Sequence, residues 1–383
     1  MPGFWADEDL SPNEIELARR RAMQRPGYID LASSNPTHQG LLFPGAILSS
    51  AAQRYWAARR YDPDPRGLFA TREAIAAYYS RRTSPLALTP EQIFVTASTS
   101  EAYSLLFALL AEPGDNILGP DVTYPLFEFL AAIHHVELRP YRMIEADAWT
   151  IDQHSLDAMA DDRTRAILIV SPHNPTGKVV THPLEVLDRL GIPVICDEVF
   201  APFTYAVSSV PPFAALHPDL PVFHLNGISK MFALPDLKLG WAALNAPAQA
   251  LFGERLELLN DTFLGANSLS QHLLPVLFDQ GQPFVEHMVA RVRTNLDYAL
   301  GRFRSSSRIH AQAPDGGYYL FPEVAVDEDE EALVLRLLEG GLNVHPGYFY
   351  GYEQGTHLML SALTAPEPFR QGVDRLIAEL ERL

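Results

Sequence analysis

Cysteine is almost absent from this 383-residue sequence, which contains only Cys196. A single cysteine cannot form a disulfide within the chain, which favours a protein of the reducing cytoplasm. No apolar run approaches the roughly 18 residues that a membrane-spanning helix needs. The first 14 residues are acidic and lack the basic-then-apolar pattern of a secretory leader. The sequence therefore predicts a cytoplasmic location and no membrane partner.

Positive charge is also scarce, since the sequence contains 29 Lys and Arg residues and 47 Asp and Glu residues, and the formal net charge is −18. An acidic surface repels nucleic acid and anionic membranes, so we expect a small-molecule partner and no nucleic acid. At 383 residues the chain exceeds one ordinary hydrophobic core, and this length favours two or three domains. No repeat or low-complexity segment interrupts it, and no metal site is expected.

Short apolar runs alternate with helical patterns over residues 48–280, which we predict to be a large domain. The predicted strands are Ile93–Thr96, Asn116–Gly119, Val136–Arg139, Ala166–Val170, Pro193–Cys196, Val222–Asn226 and Gly240–Leu244. Such alternation is typical of an α/β fold with a mostly parallel sheet that has helices on both faces. The pattern therefore predicts a mostly parallel seven-stranded sheet flanked by helices.

Residues 281–383 have a different pattern and predict a smaller α+β domain. The short runs Leu342–His345 and His357–Ser361 are expected to pair as strands, and a final helix is expected over Pro366–Leu383. The N-terminal segment 1–47 is expected to pack on this smaller domain. A cleft between the two domains is where we expect a ligand to bind.

Polar groups follow several predicted strands at the point where each strand ends. These groups are Asn174, Asp197, Lys230 and the hydroxyl-rich turn Ser98-Thr99-Ser100, which also opens a helix. Because ligands bind at the carboxyl ends of parallel strands, we expect this amide, carboxylate, amine and helix start to lie at one edge. A lysine at a rigid strand end suits Schiff-base chemistry with a carbonyl cofactor, and a helix start suits a phosphate. Singly, each has a simpler explanation as a solvated lysine, a turn or a helix cap.

Three motifs carry a resemblance to a known family. They are Ser171–Lys178 (SPHNPTGK), Cys196–Phe200 (CDEVF) and the stretch His224–Trp241, which contains Gly-Ile-Ser-Lys. In this order and with these gaps, the chain resembles the class I and II aminotransferases from about residue 28 to its end. Those proteins are fold-type-I enzymes that use pyridoxal 5'-phosphate (PLP). The resemblance implies the same fold, the same cofactor and a homodimer with shared active sites.

The resemblance also implies a role for each residue. Lys230 would form the Schiff base with the cofactor and then carry the proton at the substrate Cα. Asp197 would keep the pyridine nitrogen protonated, and Asn174 would donate to the phenolic oxygen. Tyr124 would stack on the ring. The residues expected around the phosphate are Ser98, Thr99, Ser100, Ser229, Lys238 and Tyr61, the last of which serves the neighbouring subunit's site in relatives.

The substrate side of the resemblance is incomplete. Met359 stands where the family has an arginine that forks onto the substrate α-carboxylate, and methionine cannot imitate that geometry. Phe200 replaces a tyrosine, Lys238 replaces an arginine, and Gly227 replaces a phosphate-binding serine. Ser34 stands near a glycine position. The weaker candidates for substrate contact are Ser34, His38, Tyr348 and Met359.

Three hypotheses about function remain open from the sequence. The leading one is a PLP-dependent aminotransferase with an atypical amino donor or acceptor, in secondary metabolism. The second is a PLP-dependent lyase, cyclase or oxidase on the same scaffold, which Met359 and Phe200 favour. The third is a catalytically silent binding or regulatory module, which the presence of Lys230, Asp197 and Asn174 disfavours.

Overall fold

The computed structural model describes residues 10–146 and 148–383, so residues 1–9 of the predicted N-terminal segment lie outside the described part. The strands are β1 (Ile29–Asp30), β2 (Ile93–Thr96), β3 (Asn116–Pro120), β4 (Glu137–Tyr141), β5 (Met143–Ile144), β6 (Thr150–Ile151), β7 (Thr164–Val170), β8 (Val194–Asp197), β9 (Val222–Gly227), β10 (Gly240–Leu244), β11 (Ile309–His310), β12 (Tyr319–Leu320), β13 (Glu323–Val324), β14 (Leu342–Asn343), β15 (His345–Pro346) and β16 (Leu358–Ser361).

The helices alternate with these strands through the first two thirds of the chain. They are α1 (Glu14–Ala22), α2 (Gly45–Ala57), α3 (Phe69–Arg81), α4 (Thr99–Leu110), α5 (Leu126–Ile133), α6 (Gln153–Met159), α7 (Glu185–Leu190), α8 (Phe213–Leu216), α9 (Ile228–Met231), α10 (Ala246–Thr262), α11 (Ser268–Gln280), α12 (Gln282–Phe303), α13 (Glu330–Glu339) and α14 (Pro366–Leu380). No helix of the described residues is long and apolar enough to cross a membrane.

A seven-stranded sheet forms the centre of the large part of the molecule, in the order β2-β10-β9-β8-β7-β3-β4. All neighbours are parallel except β10, which runs antiparallel to both β2 and β9. The central strands are buried along their whole length because helices cover both faces. The mostly parallel α/β sheet predicted from the sequence is confirmed, and its seven strands begin and end within two residues of their predicted limits.

The last hundred residues build around the long helix α12 and a small sheet in the order β12-β16-β15. The predicted pairing of Leu342–His345 with His357–Ser361 is only half right. Its first half, β14, pairs in parallel with β1 of the N-terminal segment, while β15 alone pairs with β16. Pro346 ends β15 because a proline has no N–H to donate to a ladder. The domain limits 1–47, 48–280 and 281–383 stay a prediction.

The turn after β7 holds the large sheet against the last part of the chain. Gly177 in this turn has a φ of +72°, and a Cβ there would lie 2.3 Å from the Cβ of Pro314. The Gly316 amide donates to the carbonyl oxygen of Gly177, with an N···O distance of 2.9 Å. Only a residue without a side chain permits so close an approach. The carboxyl edge of the sheet therefore faces the segment that leads into β12.

Candidate active site

Three neighbouring parallel strands bring the amide, the carboxylate and the amine to one edge. Val170, Asp197 and Leu225 are in register at the ends of β7, β8 and β9. Asn174 lies in the turn that follows β7, Asp197 is the last residue of β8, and Lys230 lies in α9, the single turn of helix directly after β9. The structure thus places together the three residues that the sequence singled out for chemistry.

Asp197 is a buried carboxylate with two hydrogen-bond donors. It is 5% exposed, and it accepts from the Val199 amide at 3.0 Å and from the Tyr103 hydroxyl at 2.8 Å. Burial raises the pKa of Asp197 to about 6, although the two donors and the Lys230 charge act to lower it. The described residues therefore give the carboxylate too little cationic stabilisation, and a protonated pyridine nitrogen would add a positive charge beside it.

Tyr103 is a contributor that the sequence analysis missed. It lies in α4 and is fully buried, with its hydroxyl directed at Asp197. Burial, together with the negative charge of Asp197, raises the pKa of Tyr103 well above its ordinary value, so the hydroxyl stays a donor. The available signal was helical spacing, because Tyr103 follows Thr99 by four residues and shares its face of the helix.

Asn174 presents a buried polar atom without a partner. Its side chain is 9% exposed, and among the described residues its Oδ1 atom has no hydrogen-bond partner. The turn around it is well ordered by its own hydrogen bonds, since the His173 amide donates to the carbonyl oxygen of Lys178 at 2.8 Å. Buried polar atoms in native proteins are nearly always satisfied, so the unpaired Oδ1 indicates a missing donor at this edge. The side-chain Nδ2, for which the described residues show no hydrogen bond, is the atom that would donate to a ligand oxygen.

The start of α4 is the candidate phosphate site. Ser98 is the N-cap, and its Oγ accepts from the Glu101 amide at 3.1 Å, so part of its capacity is used within the helix. In the described part of the chain, no hydrogen bond involves the hydroxyls of Thr99, Ser100 or Ser229. These groups and the helix start suit an anion.

Strand β10 passes close to the same helix start. A Cβ on Gly240 would lie 2.7 Å from the Thr99 amide nitrogen, so only glycine fits there. Lys238, two residues earlier, is exposed and takes a left-handed backbone conformation with a φ of 47°. The approach of Gly240 to α4 therefore brings the backbone of β10 to the candidate phosphate site, and the role of Lys238 there stays a prediction.

Aromatic rings surround Lys230. Its Nζ lies 6.0 Å from the ring centroid of Phe200, and that ring packs edge-on against Tyr318 at 4.9 Å and Tyr319 at 5.7 Å. Tyr124 is 46% exposed, and its ring is nearly perpendicular to that of Phe127 at a centroid distance of 6.3 Å. The amine thus lies between rings of the large sheet and rings of the segment that leads into β12.

Met359 lies on the same side of the small sheet as Tyr319. In the register of that sheet, Ser361 is opposite Tyr319 and Met359 is opposite His345, and residues two apart share a face of a strand. Burial raises the pKa of Tyr319, while the Lys230 charge and a hydrogen bond with Ser34 act to lower it. Met359 is 2% exposed and Ser361 is fully buried, with no described partner for its Oγ. This face of the sheet therefore looks toward Lys230.

Three predicted site residues lie apart from this group. His38 is exposed on a short 3-10 helix, and Tyr61 is 76% exposed. The Tyr348 amide donates to Glu330 at 2.9 Å, and its ring lies against Phe349 at 5.0 Å. In the described part of the chain none of the three contacts Lys230, and the roles of His38 and Tyr348 as substrate contacts stay a prediction.

The other cations that might replace a carboxylate-binding arginine are already engaged. Lys178 pairs with Asp315 at 2.9 Å. The remaining pairs are Arg60 with Asp62, Arg66 with Glu257, and Arg59 over the ring of Trp56. None of these four cations is recorded in contact with Met359 or Tyr319 in the described part of the chain. The geometry thus leaves the Met359 face of the small sheet without an obvious anion receptor.

The residues present fit PLP. A buried carboxylate that lacks a cationic partner, an unpaired buried amide, a helix start with free hydroxyls and an amine are the four groups that this cofactor requires. Asp197 would hold the pyridine nitrogen, Asn174 the phenolic oxygen, and the start of α4 the phosphate. Lys230 would provide the amine.

Comparison with known proteins agrees with this geometry. Nicotianamine aminotransferase 1 from Oryza sativa subsp. japonica is 35% identical over 207 residues, which is 53% of this chain and 42% of that protein. The S-alkyl-thiohydroximate lyase SUR1 from Arabidopsis thaliana is 36% identical over 186 residues, 47% of this chain and 40% of that protein. The chain thus matches less than half the length of either relative.

A solved structure extends the likeness to nearly the whole chain. The alanine aminotransferase from Pyrococcus furiosus superposes with a TM-score of 0.89 at 25% identity, over 97% of this chain and 96% of that one. The family Aminotransferase class I and II matches residues 26–376. On the strength of that match and of the site at the carboxyl edge of its sheet, the chain belongs to the class I and II aminotransferases, a family of PLP-dependent transferases of fold type I.

Proposed function

We propose that this protein is a cytoplasmic aminotransferase of secondary metabolism whose amino substrate lacks a free α-carboxylate or carries it in masked form. The observation that carries the proposal is Met359, buried on the face of β16 that looks toward Lys230. An amine, an amino alcohol, an amino sugar or an amino acid amide belongs to this substrate class.

The physical reason is the cost of an unpaired buried charge. A carboxylate that leaves water to lie against a thioether loses its hydration and gains no partner, which costs several kcal/mol. An arginine would offset this loss through two parallel hydrogen bonds, and Met359 has no donor at all. A neutral polar group avoids this cost, because the hydroxyls of Tyr319 and Ser361 lie on the same face and are able to bind it.

The residues of the chain divide the chemistry among them. PLP, when bound, supplies an electron sink for the bonds at the substrate Cα. Asp197 holds the proton on the pyridine nitrogen. Burial raises the pKa of Asp197 and disfavours its charged form, so the carboxylate depends on a cation beside it. Lys230 takes up and returns the proton at the substrate Cα. The ring of Phe200 lies beside Lys230 and packs against Tyr319, which limits the directions from which a substrate reaches the amine.

We also propose that the active unit is a homodimer. Several large apolar side chains on one surface are exposed in the single chain. They are Trp56, Tyr61, Phe69, Leu258, Phe263 and Leu264. The two segments that hold them lie side by side, because Asn260 donates to the carbonyl oxygen of Pro65 at 2.7 Å. An exposed apolar patch of this kind marks a protein interface, and it includes Tyr61, which in relatives serves the neighbouring site.

The substrate proposal is tested by comparing kcat/KM for an amino acid with that for its amide or descarboxy analogue. We expect the analogue to be preferred by tenfold or more in the parent enzyme. Met359→Arg is expected to improve the amino acid and not the analogue. Met23→Arg, which adds the same charge at a half-exposed methionine, is the matched control. A parent enzyme that prefers free alanine or glutamate by tenfold contradicts the proposal.

A PLP-dependent lyase is the second candidate. It is favoured by Phe200, which replaces the tyrosine of the family pattern, and by the likeness to the Arabidopsis lyase. The two reactions differ in their need for a second substrate, because an aminotransferase turns over only when an oxo acceptor is present. Product formed at the same rate with and without the acceptor would identify a lyase.

A further inference from the structure

A cavity lies beside Met231 and Phe232, the two residues that follow Lys230 in the chain. It has a volume of about 730 Å³ and opens to the surface. Its walls come from the end of α3, the segment 201–210, the end of α9 and the first half of α12. None of the residues assigned above to cofactor or substrate lines it. The cavity is therefore separate from the candidate active site.

The charge of the cavity is opposite to that of the molecule. Arg81, Arg82 and Arg293 line it, and Glu286 is the one acidic residue of its described lining. In a chain with a formal net charge of −18, this concentration of arginine is a local exception. An anion is the ligand that such a site attracts.

Two of the arginines are held in place and the third is free. Arg82 donates to Glu198 at 2.7 Å and to the carbonyl oxygen of Val210 at 2.8 Å, and Arg293 donates to the carbonyl oxygen of Thr204 at 3.0 Å. In the described part of the chain, the exposed Arg81 has no recorded hydrogen bond or ion pair. Arg81 is thus able to offer a carboxylate both arms of its guanidinium group.

The rest of the lining is largely apolar. Met231, Phe232 and Phe278 line the cavity, and Val285 and Val289 of α12 add further apolar surface. A volume of 730 Å³ is ample for a small organic molecule, since ligand cavities typically measure about 300–1,000 Å³. The combination of an arginine rim and an apolar lining selects a molecule with an anionic head and an apolar body.

The cavity touches the elements that position the catalytic groups. Met231 and Phe232 follow Lys230 directly in the chain, and Glu198, the buried partner of Arg82, follows Asp197. Burial acts to raise the pKa of Glu198, but the charges of Arg82 and His224 outweigh it and bring the pKa to about 2. The opposite wall is α12, the helix that leads into the last part of the chain. A ligand here therefore contacts both α9 and α12.

We propose that this cavity binds a small amphipathic carboxylate, an acid with an aryl or alkyl body, and that its occupation changes turnover at Lys230. The arginine rim holds the carboxylate, and the body lies between Phe232 and Val289. By bridging α9 and α12, the ligand fixes the distance between the helix of Lys230 and the last part of the chain. This inference does not depend on which substrate the enzyme uses.

The test uses the PLP-loaded enzyme and 6-phenylhexanoate as the probe, with calorimetry to measure binding. We expect saturable binding that Arg81→Ala weakens at least fivefold and that Arg21→Ala, at an exposed arginine of α1, leaves within twofold. Val289→Trp is expected to fill the cavity and abolish binding. The neutral analogue 6-phenylhexan-1-ol is expected to bind at least fivefold more weakly, because it gives the arginines no charge to pair with.

Turnover supplies the second measurement. Saturating probe is expected to change kcat at least twofold in the parent enzyme and to leave kcat unchanged in Val289→Trp. If Val289→Trp fails to fold, Arg81→Ala provides the test instead. This variant is expected to need a higher probe concentration to reach half of the maximal change in kcat. The proposal is overturned by no saturable binding up to millimolar probe, by equal binding in Arg81→Ala and the parent, by inhibition competitive with the amino substrate, or by an unchanged kcat in the parent.

Discussion

At the scale of single residues, the environment of Asp197 sets the chemistry. Strand β8 ends on this carboxylate, and α4 brings the Tyr103 hydroxyl to it from the other side of the sheet edge. Burial without a cation raises the pKa of Asp197 to about 6. A pKa displaced by burial at a strand end is typical of a functional group rather than of a structural ion pair.

Loss of the carboxylate is expected to remove catalysis and spare much of the binding. Asp197→Ala leaves the start of α4, Asn174 and Lys230 in place, so the variant is expected to retain PLP while kcat falls by about 10² or more. Cofactor absorbance and steady-state kinetics measure the two effects. The control is Asp188→Ala, at an exposed acid of α7. A near-normal rate in Asp197→Ala would remove the proton-holding role from this residue.

The raised pKa of Asp197 also predicts how stability depends on pH in the cofactor-free protein. The folded pKa of about 6 lies above the ordinary value of 3.8, so the folded state binds this proton more tightly than the unfolded state does. The stabilisation is complete below about pH 4 and is lost as pH rises through 6, by about 3 kcal/mol. As the pH rises over this range, the Tm of the parent apoprotein is expected to fall relative to the Tm of Asp197→Asn. Calorimetry measures both values. A constant difference in Tm between the two proteins contradicts it.

Lys230 is expected to be the covalent attachment point of the cofactor. Its place one helical turn after β9, between Phe200 and the strand-end acid, is the basis of this prediction. Borohydride treatment of the holoenzyme followed by peptide mapping should find the label on the peptide that contains Lys230. A label on Lys178 or Lys238 would place the site elsewhere.

At the scale of elements, β10 contacts the start of α4, which is the candidate phosphate site. Gly240 permits the contact, because any side chain there would collide with the backbone of Ser98 and Thr99. The N-terminal amides of α4 thereby become available to an anion rather than covered by a side chain.

Gly240→Ala is expected to displace the start of α4 and weaken PLP binding by tenfold or more. Binding of pyridoxal, which has no phosphate, is expected to change much less. Both dissociation constants are measured by titrating the apoprotein spectroscopically. Gly301→Ala in α12 is the matched control, because a Cβ there meets no atom within 4 Å. Equal loss for both ligands would mean that the substitution damages the fold and not the phosphate site.

At the scale of the whole molecule, the proposed homodimer would cover the exposed apolar side chains around Tyr61. We expect a particle of twice the chain mass of 42.6 kDa in light scattering. Leu264→Asp, at a residue 82% exposed in the single chain, is expected to shift the protein toward monomer and to lower its affinity for PLP. Leu10→Asp, at a residue 78% exposed, is the control. A fully active monomer would contradict the homodimer proposal.

The sequence by itself determined the sheet and the order of its chemical groups. Period and composition were enough for β2 and β10, whose limits match the prediction, because both are short apolar runs that are buried along their whole length. The same reasoning placed Asn174, Asp197 and Lys230 at one edge, since parallel strands all end on the same side. The strand limits depend on residues that are neighbours in the sequence, and the shared edge depends on the general rule that parallel strands end on the same side of a sheet.

Only the tertiary structure decided the features that depend on contacts between distant segments. The hydrogen bond from Tyr103 to Asp197 links residues that are 94 positions apart in the sequence. The pairing of β1 with β14 joins the N-terminal segment to the last part of the chain. The cavity rimmed by Arg81 and Arg293 likewise needs the end of α3 and the first half of α12 to lie around the same space. Periodicity carries no information about which distant surfaces meet, because packing chooses among many faces of similar apolar character. Such contacts become visible only when the chain is folded.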